Sequence, residues 1–317
     1  MRFTVLGAGA TGGFLGACLA RAGFDVTLVA RGAHLEAMRS RGLRVVEPDG
    51  SEFTTHPECT DDLAAAREAD VTFVTLKAHS LPALAPRLGG GSTLVFAQNG
   101  IPWWYFAGSG RRLESVDPGG RIAESVDLER VIGCIAYPAT TLAEPGVVRH
   151  LEGNRFSLGT PGGERSERVA AISGALTRAG LKAPVQARLR QEIWLKLIGN
   201  ATLNPVSALT RGSLGEILGD PLTRELVRAL MVEVESVARA VGIEVDIPVE
   251  RRLQGAGRIT EHRTSMLQDV EAGRPLEVEA LVGSVVELGR QLGVATPALD
   301  VVYRLVRQLD PSGASRP

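Results

Sequence analysis

The chain has 317 residues, 44% of them hydrophobic and 22% charged, with a formal net charge of -1. This length predicts two domains, and this composition excludes a disordered chain. No basic stripe is present, so a nucleic-acid partner is not expected, and no apolar run approaches the roughly 20 residues of a membrane span. The amino terminus lacks the apolar stretch of a signal peptide, so a cytoplasmic protein without a membrane partner is expected.

The first half of the chain alternates strand and helix patterns. Short apolar runs predict strands at residues 3–6, 26–29, 71–76 and 93–97, and a helix is predicted over 14–21. Such alternation predicts a parallel sheet covered by helices on both faces. Three further strands, at 131–137, 147–151 and 155–158, lack long helices between them and predict an antiparallel extension, before a helix at 164–179.

The second half has a different character, because long helical patterns replace the strand patterns. Helices are predicted over 190–203, 222–241, 276–292 and 298–309. The predicted domains are therefore a dinucleotide-binding domain, 1–186, and a helical domain, 187–317. The glycine-rich stretch 108–120 predicts a flexible surface loop, and residues 311–317 predict a disordered tail.

A glycine motif lies between the first predicted strand and the first helix. Gly7, Gly9 and Gly12 form G-x-G-x-x-G in GAGATG, which also contains Ala10 and Thr11. In this setting the motif predicts a dinucleotide site, with the pyrophosphate at the helix N-terminus. The alternative is a structural turn without a ligand.

The second strand indicates which dinucleotide is bound. It ends without the acidic residue that contacts the ribose of NAD, and Arg31 follows it. A guanidinium suits a 2′-phosphate, so the sequence predicts NADPH rather than NADH. The alternative for Arg31 is a solvated loop charge.

Two polar residues follow predicted strands at the edge where open parallel sheets bind ligands. Lys77 follows the third strand and Asn99 the fourth, and contacts with cofactor or substrate are predicted for them. A lysine reaching solvent and an Asn-Gly turn are the alternatives.

A mostly apolar helix in the second domain has one polar side. Lys196, Asn200 and Asn204 recur every four residues, which places them along one face. Buried polar groups are costly without partners, so the pattern predicts a cleft for a polar substrate, with an internal hydrogen-bond network as the alternative. Reduction of a ketone leaves an alkoxide that needs a proton, and Lys196 is the predicted general acid. No metal site is predicted, because the histidines and cysteines lack ligand spacing.

These segments together resemble the ketopantoate reductase (2-dehydropantoate 2-reductase) family. The shared motifs are GAGATG, TLKA, QNG, IWLKLIGNATLNP, and TSMLQD followed by Glu277. The resemblance implies an α/β fold with a Rossmann-type N-terminal domain and an all-α C-terminal domain like that of 6-phosphogluconate dehydrogenase. It also implies NADPH, catalytic roles for Lys196 and Glu277, substrate contacts at Asn99, Lys196, Asn200, Asn204, Ser265 and Glu277, and cofactor contacts that include Lys77 and Asn99. Without it, Ser265 and Glu277 would be commonplace surface residues.

Three departures from the family pattern leave the substrate open. Leu214 stands near the position of a substrate-binding asparagine, Val282-Gly283 replaces a frequent Asn-Gly, and Trp103, Trp104 and Tyr105 would either narrow the cleft or pack between domains. The leading prediction is reduction of ketopantoate to pantoate for pantothenate and coenzyme A synthesis. The alternatives are a reductase of another small 2-keto acid and a non-catalytic NADPH-binding regulator. A homodimer is possible, since monomers and dimers both occur in the family.

Overall fold

The computed structural model describes residues 1–311, and the remainder of the predicted tail lies outside the described residues. Two compact units divide the chain. The first comprises Met1–Gln98, Trp104–Gly110 and Gly119–Leu189, and the second comprises Asn99–Trp103, Arg111–Pro118 and the chain from Arg190 onward. Two short segments from the first half of the sequence therefore belong to the second unit.

The first unit contains eleven strands and six helices among its described residues. Its strands are β1 (Arg2–Leu6), β2 (Asp25–Val29), β3 (Leu43–Val46), β4 (Glu52–Thr55), β5 (Glu58–Thr60), β6 (Val71–Val74), β7 (Thr93–Phe96), β8 (Val131–Ala136), β9 (Ala139–Glu144), β10 (Val147–Glu152) and β11 (Phe156–Gly159). Its helices are α1 (Ala10–Arg21), α2 (Gly32–Arg41), α3 (Ala65–Glu68), α4 (Leu81–Leu84), α5 (Arg121–Ser125) and α6 (Glu167–Arg178).

A seven-stranded sheet forms the centre of this unit, in the order β5-β2-β1-β6-β7-β8-β11. Its pairs are parallel except β11 with β8, which is antiparallel. Strands β6 and β7 are buried at every residue, because elements cover both faces of the sheet. The predicted Rossmann-type architecture is confirmed.

Close packing of α1 on the sheet depends on a small residue. A Cβ at Gly16 would lie 2.4 Å from Leu28 of β2, so only glycine lets the helix approach this closely. The surrounding core includes Phe3, Phe14 and Phe73, each at most 2% exposed. This packing fixes the start of α1 above the carboxyl end of β1.

The predicted antiparallel extension is only partly correct. Strand β11 does run antiparallel at the sheet edge, but β8 is parallel to β7, and β10 belongs to a second sheet of order β4-β3-β10-β9. Sequence patterns missed this sheet because β3 and β4 have only four residues each and β9 is partly exposed along its length. Short strands with one open face give a weak alternation signal.

Trp104 and Tyr105 are core residues of the first unit, with 2% and 4% exposure. Gly133 in β8 leaves room for the indole, since a Cβ there would come within 2.5 Å of the Trp104 ring. Burial in this core is sufficient to explain why a tryptophan stands at position 104. A role of Trp104 in narrowing a cleft is therefore not needed.

The second unit is built from helices. They are α7 (Leu189–Thr210), α8 (Leu214–Gly219), α9 (Pro221–Ala240), α10 (Val249–Ala256), α11 (Ser265–Glu271), α12 (Ser284–Leu292) and α13 (Pro297–Arg307). A π-helical turn, Glu279–Gly283, precedes α12, so the single helix predicted over 276–292 is interrupted. Among residues 1–311, none of these or the other helices combines the length and apolar character needed to cross a membrane.

The glycine-rich stretch is not the free surface loop that its composition predicts. Leu113 and Val116 are buried, and the Glu287 carboxylate of α12 accepts hydrogen bonds from the backbone N–H groups of Glu114 and Ser115 at 2.8 and 2.9 Å. Four of the thirteen residues of this stretch are glycines, a composition typical of a loop, and it hides the two apolar residues that anchor the stretch.

A buried acid on α9 makes stability depend on pH. Glu235 is 4% exposed, and its carboxylate lies 3.1 Å from Nη2 of Arg239 and 3.6 Å from Nε of Arg252. Burial raises the pKa of Glu235, and the two guanidinium groups offset part of this effect. The folded chain therefore holds this proton more tightly than the unfolded chain.

We expect the wild-type chain to lose stability relative to Glu235→Gln as the pH rises from about 4 to about 7. The unfolded chain releases its proton near the ordinary pKa of glutamate, while the folded chain releases it at a higher pH, so stability present below the first value is lost above it. Thermal unfolding midpoints of the two proteins across this range test the effect. Glu225→Gln is the control, because the Glu225 side chain on the same helix is 69% exposed. A difference between wild type and Glu235→Gln that stays constant with pH would contradict the expectation.

Candidate functional site

The glycine loop of the first unit is held against the end of β2. The N–H groups of Gly7 and Ala8 both donate to the Val29 carbonyl, at 3.1 and 2.9 Å. Gly7 has a φ of 101°, which favours glycine, and a Cβ at Gly12 would lie 2.4 Å from Oγ1 of Thr75. Two of the three predicted glycines are therefore required by the turn itself.

The third glycine faces open space, which is the arrangement an anionic ligand needs. Gly9 is exposed, and a Cβ built there would have nothing within 4 Å. It is the N-cap of α1, where no side chain caps the helix and no acid lies in the first turn. The first N–H groups of α1, including those near Ala10 and Thr11, thus have a favourable field for a phosphate. The residues present fit a dinucleotide.

The other predicted cofactor residues of the first unit lie after its strands. Arg31 is exposed and is the N-cap of α2, and Lys77 is half-buried after β6. The Thr11 hydroxyl lies 3.2 Å from that of Thr140, so its backbone rather than its side chain is offered to a ligand. Gln98, which no sequence pattern singles out, donates from Nε2 to the carbonyls of Val74 and Leu76 at 2.7 and 2.9 Å.

In the second unit three predicted residues form one hydrogen-bonded chain. The Lys196 ammonium donates to Oδ1 of Asn99 at 2.9 Å, and Nδ2 of Asn99 donates to a carboxylate oxygen of Glu277 at 3.2 Å. Because a lysine only donates and a carboxylate only accepts, the orientation of the amide is fixed. All three side chains are half-buried, so each keeps some exposed surface.

Helix α7 presents the polar face that its spacing predicts. Trp194 and Ile198 are fully buried, whereas Lys196 and Asn200 are half-buried and Asn204 is 7% exposed. The two amides follow Lys196 at intervals of one turn along the same side of the helix. The apolar remainder of α7 fixes the helix, and this leaves its polar side as a pre-formed surface.

A glycine contact positions Asn99. Gly100 has a φ of 85°, a Cβ there would lie 2.1 Å from the Ala280 carbonyl oxygen, and the N–H of Ile101 donates to that same oxygen at 3.2 Å. Ala280 lies in the π-helical turn that begins two residues after Glu277. The backbone thus holds Asn99 and Glu277 together. Such π-turns are common at functional sites.

Like Asn200 and Asn204, Ser265 is a predicted site residue that is not part of the hydrogen-bonded chain formed by Lys196, Asn99 and Glu277. It is exposed at the first position of α11, where Thr264 rather than Ser265 caps the helix by accepting from the N–H of Leu267. The sequence patterns also do not predict the roles of Gly100 and Ala280. The Asn-Gly pair signals a residue with positive φ, but nothing in the sequence reveals its contact with Ala280.

Comparison with known proteins identifies the family. The model of the ketopantoate reductase PanE/ApbA family matches residues 3–163, and that of its C-terminal domain matches residues 188–310. The chain belongs to the ketopantoate reductase family. This confirms the family expected from the sequence, and with it the enzyme class, oxidoreductase.

Relatives match over nearly the whole chain. The 2-dehydropantoate 2-reductase of Mesorhizobium japonicum is 49% identical, and the match covers 98% of both chains. A crystal structure of a candidate ketopantoate reductase from Ralstonia solanacearum MolK2 is 40% identical, covers 99% of this chain and 98% of its own, and has a TM-score of 0.92. D-mandelate dehydrogenase with NADH and anilino(oxo)acetate is 21% identical, covers 99% and 100%, and has a TM-score of 0.84, so it shares the fold.

Proposed function

We propose that this ketopantoate reductase family member reduces the 2-keto group of 2-dehydropantoate with NADPH to give pantoate, in the cytoplasmic synthesis of pantothenate and coenzyme A. The observation that carries the proposal is the hydrogen-bonded chain from Lys196 through Asn99 to Glu277. It places a proton donor, a neutral amide and a carboxylate in a half-buried setting. Relatives named 2-dehydropantoate 2-reductase support the choice of substrate.

Lys196 acts on the keto oxygen in this proposal. Its ammonium donates a hydrogen bond that polarises the carbonyl, and the same N–H then supplies the proton that converts the alkoxide into the product hydroxyl. Asn99 holds the ammonium through its amide oxygen and restricts the rotamers of the long lysine side chain. A lysine suits this role better than an arginine, because a guanidinium does not release its proton in proteins.

The remaining polar groups bind the rest of the substrate. The Glu277 carboxylate accepts a hydrogen bond from the substrate hydroxyl, while the amides of Asn200 and Asn204 donate to the carboxylate end. Ser265 is retained as a proposed contact of that carboxylate through its exposed hydroxyl. Together these groups distinguish a hydroxylated 2-keto acid from a simple ketone.

The proposed cofactor site consists of Gly7, Gly9, Ala10, Thr11 and Gly12, with Arg31 at the 2′-phosphate and Lys77 and Asn99 toward the nicotinamide. When bound, NADPH supplies the hydride. The N–H groups at the start of α1 bind the pyrophosphate, and Arg31 supplies the charge that distinguishes NADPH from NADH.

Replacing Arg31 by alanine is expected to raise the KM for NADPH by roughly tenfold or more, the range of a lost charge-assisted hydrogen bond. The KM for NADH should stay nearly constant, because NADH lacks the 2′-phosphate. Steady-state kinetics with both cofactors test this, and Arg41→Ala, at the far end of the same helix, is the control. Equal changes for the two cofactors would remove the proposed role of Arg31.

The substrate is tested by kinetics with 2-dehydropantoate and a panel of other small 2-keto acids, with NADPH and NADH in parallel. We expect the highest kcat/KM for 2-dehydropantoate with NADPH.

One feature of the site is a reason to test other substrates. Leu214 is 5% exposed at the start of α8 and cannot supply the amide expected near that position. If the enzyme preferred another 2-keto acid, the proposed reaction would stand but 2-dehydropantoate would not be its substrate.

A further inference from the structure

A histidine on α2 contacts the glycine loop. Nε2 of His34 lies 2.8 Å from the carbonyl oxygen of Ala8, and the N–H of Gly146 donates to Nδ1 of the same ring at 3.0 Å. Because the Gly146 N–H can only donate, Nδ1 is unprotonated and Nε2 carries the hydrogen. The ring is therefore neutral and links three segments of the first unit: the glycine loop, α2 and the turn before β10.

The bond to Ala8 fixes one peptide plane. The carbonyl of Ala8 and the N–H of Gly9 belong to the same planar peptide, and that N–H donates to the Gly7 carbonyl at 2.7 Å, so His34 and Gly7 hold the two sides of this peptide plane. Gly9 is the N-cap of α1 and faces the open space described above. On the other side of the loop, the N–H groups of Gly7 and Ala8 are fixed by Val29. Within residues 1–311 His34 supplies the hydrogen bond to the Ala8 carbonyl, so without it this peptide would be held only by the bond from the Gly9 N–H to Gly7, and the carbonyl could turn toward the phosphate side.

We infer that His34 is a positioning residue for dinucleotide binding, acting through the Ala8–Gly9 peptide rather than by touching the cofactor. The inference rests on the proposed function, because it assumes that the glycine loop binds a pyrophosphate. The environment of His34 agrees with it, since burial lowers the pKa of the imidazole and favours the neutral ring that this arrangement needs. NADPH and NADH share the pyrophosphate, so both should depend on His34.

Three substitutions distinguish the contributions of the two hydrogen bonds that the His34 ring makes, to Ala8 and from Gly146. His34→Gln keeps an amide donor near the position of Nε2, His34→Asn keeps an acceptor near that of Nδ1, and His34→Ala removes both. His56→Gln is the control, because His56 is an exposed histidine of the same unit. Dissociation constants for NADPH and NADH, from nicotinamide fluorescence, are measured with the full chain, along with kcat at saturating NADPH and the Tm without cofactor.

We expect His34→Ala to weaken both dinucleotides by roughly fivefold to tenfold, the range of one lost hydrogen bond. His34→Gln should recover most of the affinity and His34→Asn little of it, with kcat at saturation nearly unchanged in all three. The inference would be overturned if His34→Asn instead of His34→Gln restored the affinity for the dinucleotides. It would also be overturned if the affinities of the variants simply followed their Tm values, because the ring would then be a structural support. If His34→Ala does not fold, the comparison of Gln with Asn still decides.

The same measurements distinguish this inference from the proposed function. Wild-type protein that binds neither dinucleotide would overturn the proposed function, and the role of His34 with it. Wild-type protein that binds normally, with all His34 variants equal to it, would overturn only the role of His34. An effect on NADPH alone would place His34 with Arg31 at the 2′-phosphate and would also overturn its assignment to the pyrophosphate loop.

Discussion

Replacing Lys196 by alanine is expected to lower kcat with 2-dehydropantoate by about 100-fold to 10,000-fold, the usual contribution of a positioned general acid. The substitution removes the group that donates to Oδ1 of Asn99 and that supplies the proposed proton. The dissociation constant for NADPH should change little, because the glycine loop lies in the other unit. Stopped-flow or steady-state absorbance of NADPH gives the first quantity, and fluorescence titration gives the second.

Two companion variants sharpen this test. Lys196→Arg keeps a positive charge but does not release a proton, so it should stay close to Lys196→Ala if proton donation is the main role. Lys182→Ala is the matched control, because Lys182 is exposed and lies in the first unit. Activity of Lys196→Arg near that of wild type would mean that charge alone stabilises the alkoxide. Intact turnover in Lys196→Ala would remove the lysine from the mechanism.

The scarcity of lysine gives this assignment independent support. The chain has 35 basic Lys and Arg residues, and only Lys77, Lys182 and Lys196 are lysines. In a chain that uses arginine for nearly every positive charge, a lysine on an apolar helix points to a property that arginine lacks. Release of a proton is such a property, since a guanidinium keeps its proton in proteins.

Sequence patterns predicted the elements that are long or buried on both faces. The parallel strands β1, β2, β6 and β7 are short runs rich in apolar and β-branched residues, and the longer second-unit helices have apolar residues at helical spacing, so both were found. The short helices α8, α10 and α11 were not predicted. The second sheet was missed, because its short strands depend on pairing between distant segments such as β3 and β10. Pairing of this kind has no local signal.

The same distinction holds within the candidate site. Spacing along one helix was sufficient to group Lys196 with Asn200 and Asn204, since neighbours on a helix face are a local property. The contacts of Asn99 with Lys196 and Glu277 join residues separated by 97 and 178 positions, and only the family resemblance associated them. The contact of His34 with Ala8 was not predicted, because an isolated histidine after a strand has no spacing pattern to interpret.

Replacing Gly100 by alanine is expected to lower kcat/KM by at least about tenfold, because displacements on the order of 1 Å at a catalytic group have large costs. The added Cβ would lie 2.1 Å from the Ala280 carbonyl oxygen, and a φ of 85° is unfavourable for alanine. Either the segment carrying Asn99 or the π-turn after Glu277 must move, and each movement separates the two side chains. Affinity for NADPH should fall much less than kcat/KM, since the glycine loop is unaltered and Asn99 is only one of the proposed cofactor contacts.

A substitution at a second glycine distinguishes the loss of alignment of Asn99 from a general loss of stability. Gly108 has a φ of 79° and nothing within 4 Å of a Cβ, so Gly108→Ala has similar backbone strain without the collision. Both variants should lose roughly 1–3 kcal/mol in the free energy of unfolding from the left-handed conformation. Only Gly100→Ala should lose kcat/KM, because only its strain is transmitted through Ala280 to Asn99 and Glu277. Equal activity of the two variants would mean that the alignment of Asn99 does not depend on the π-turn.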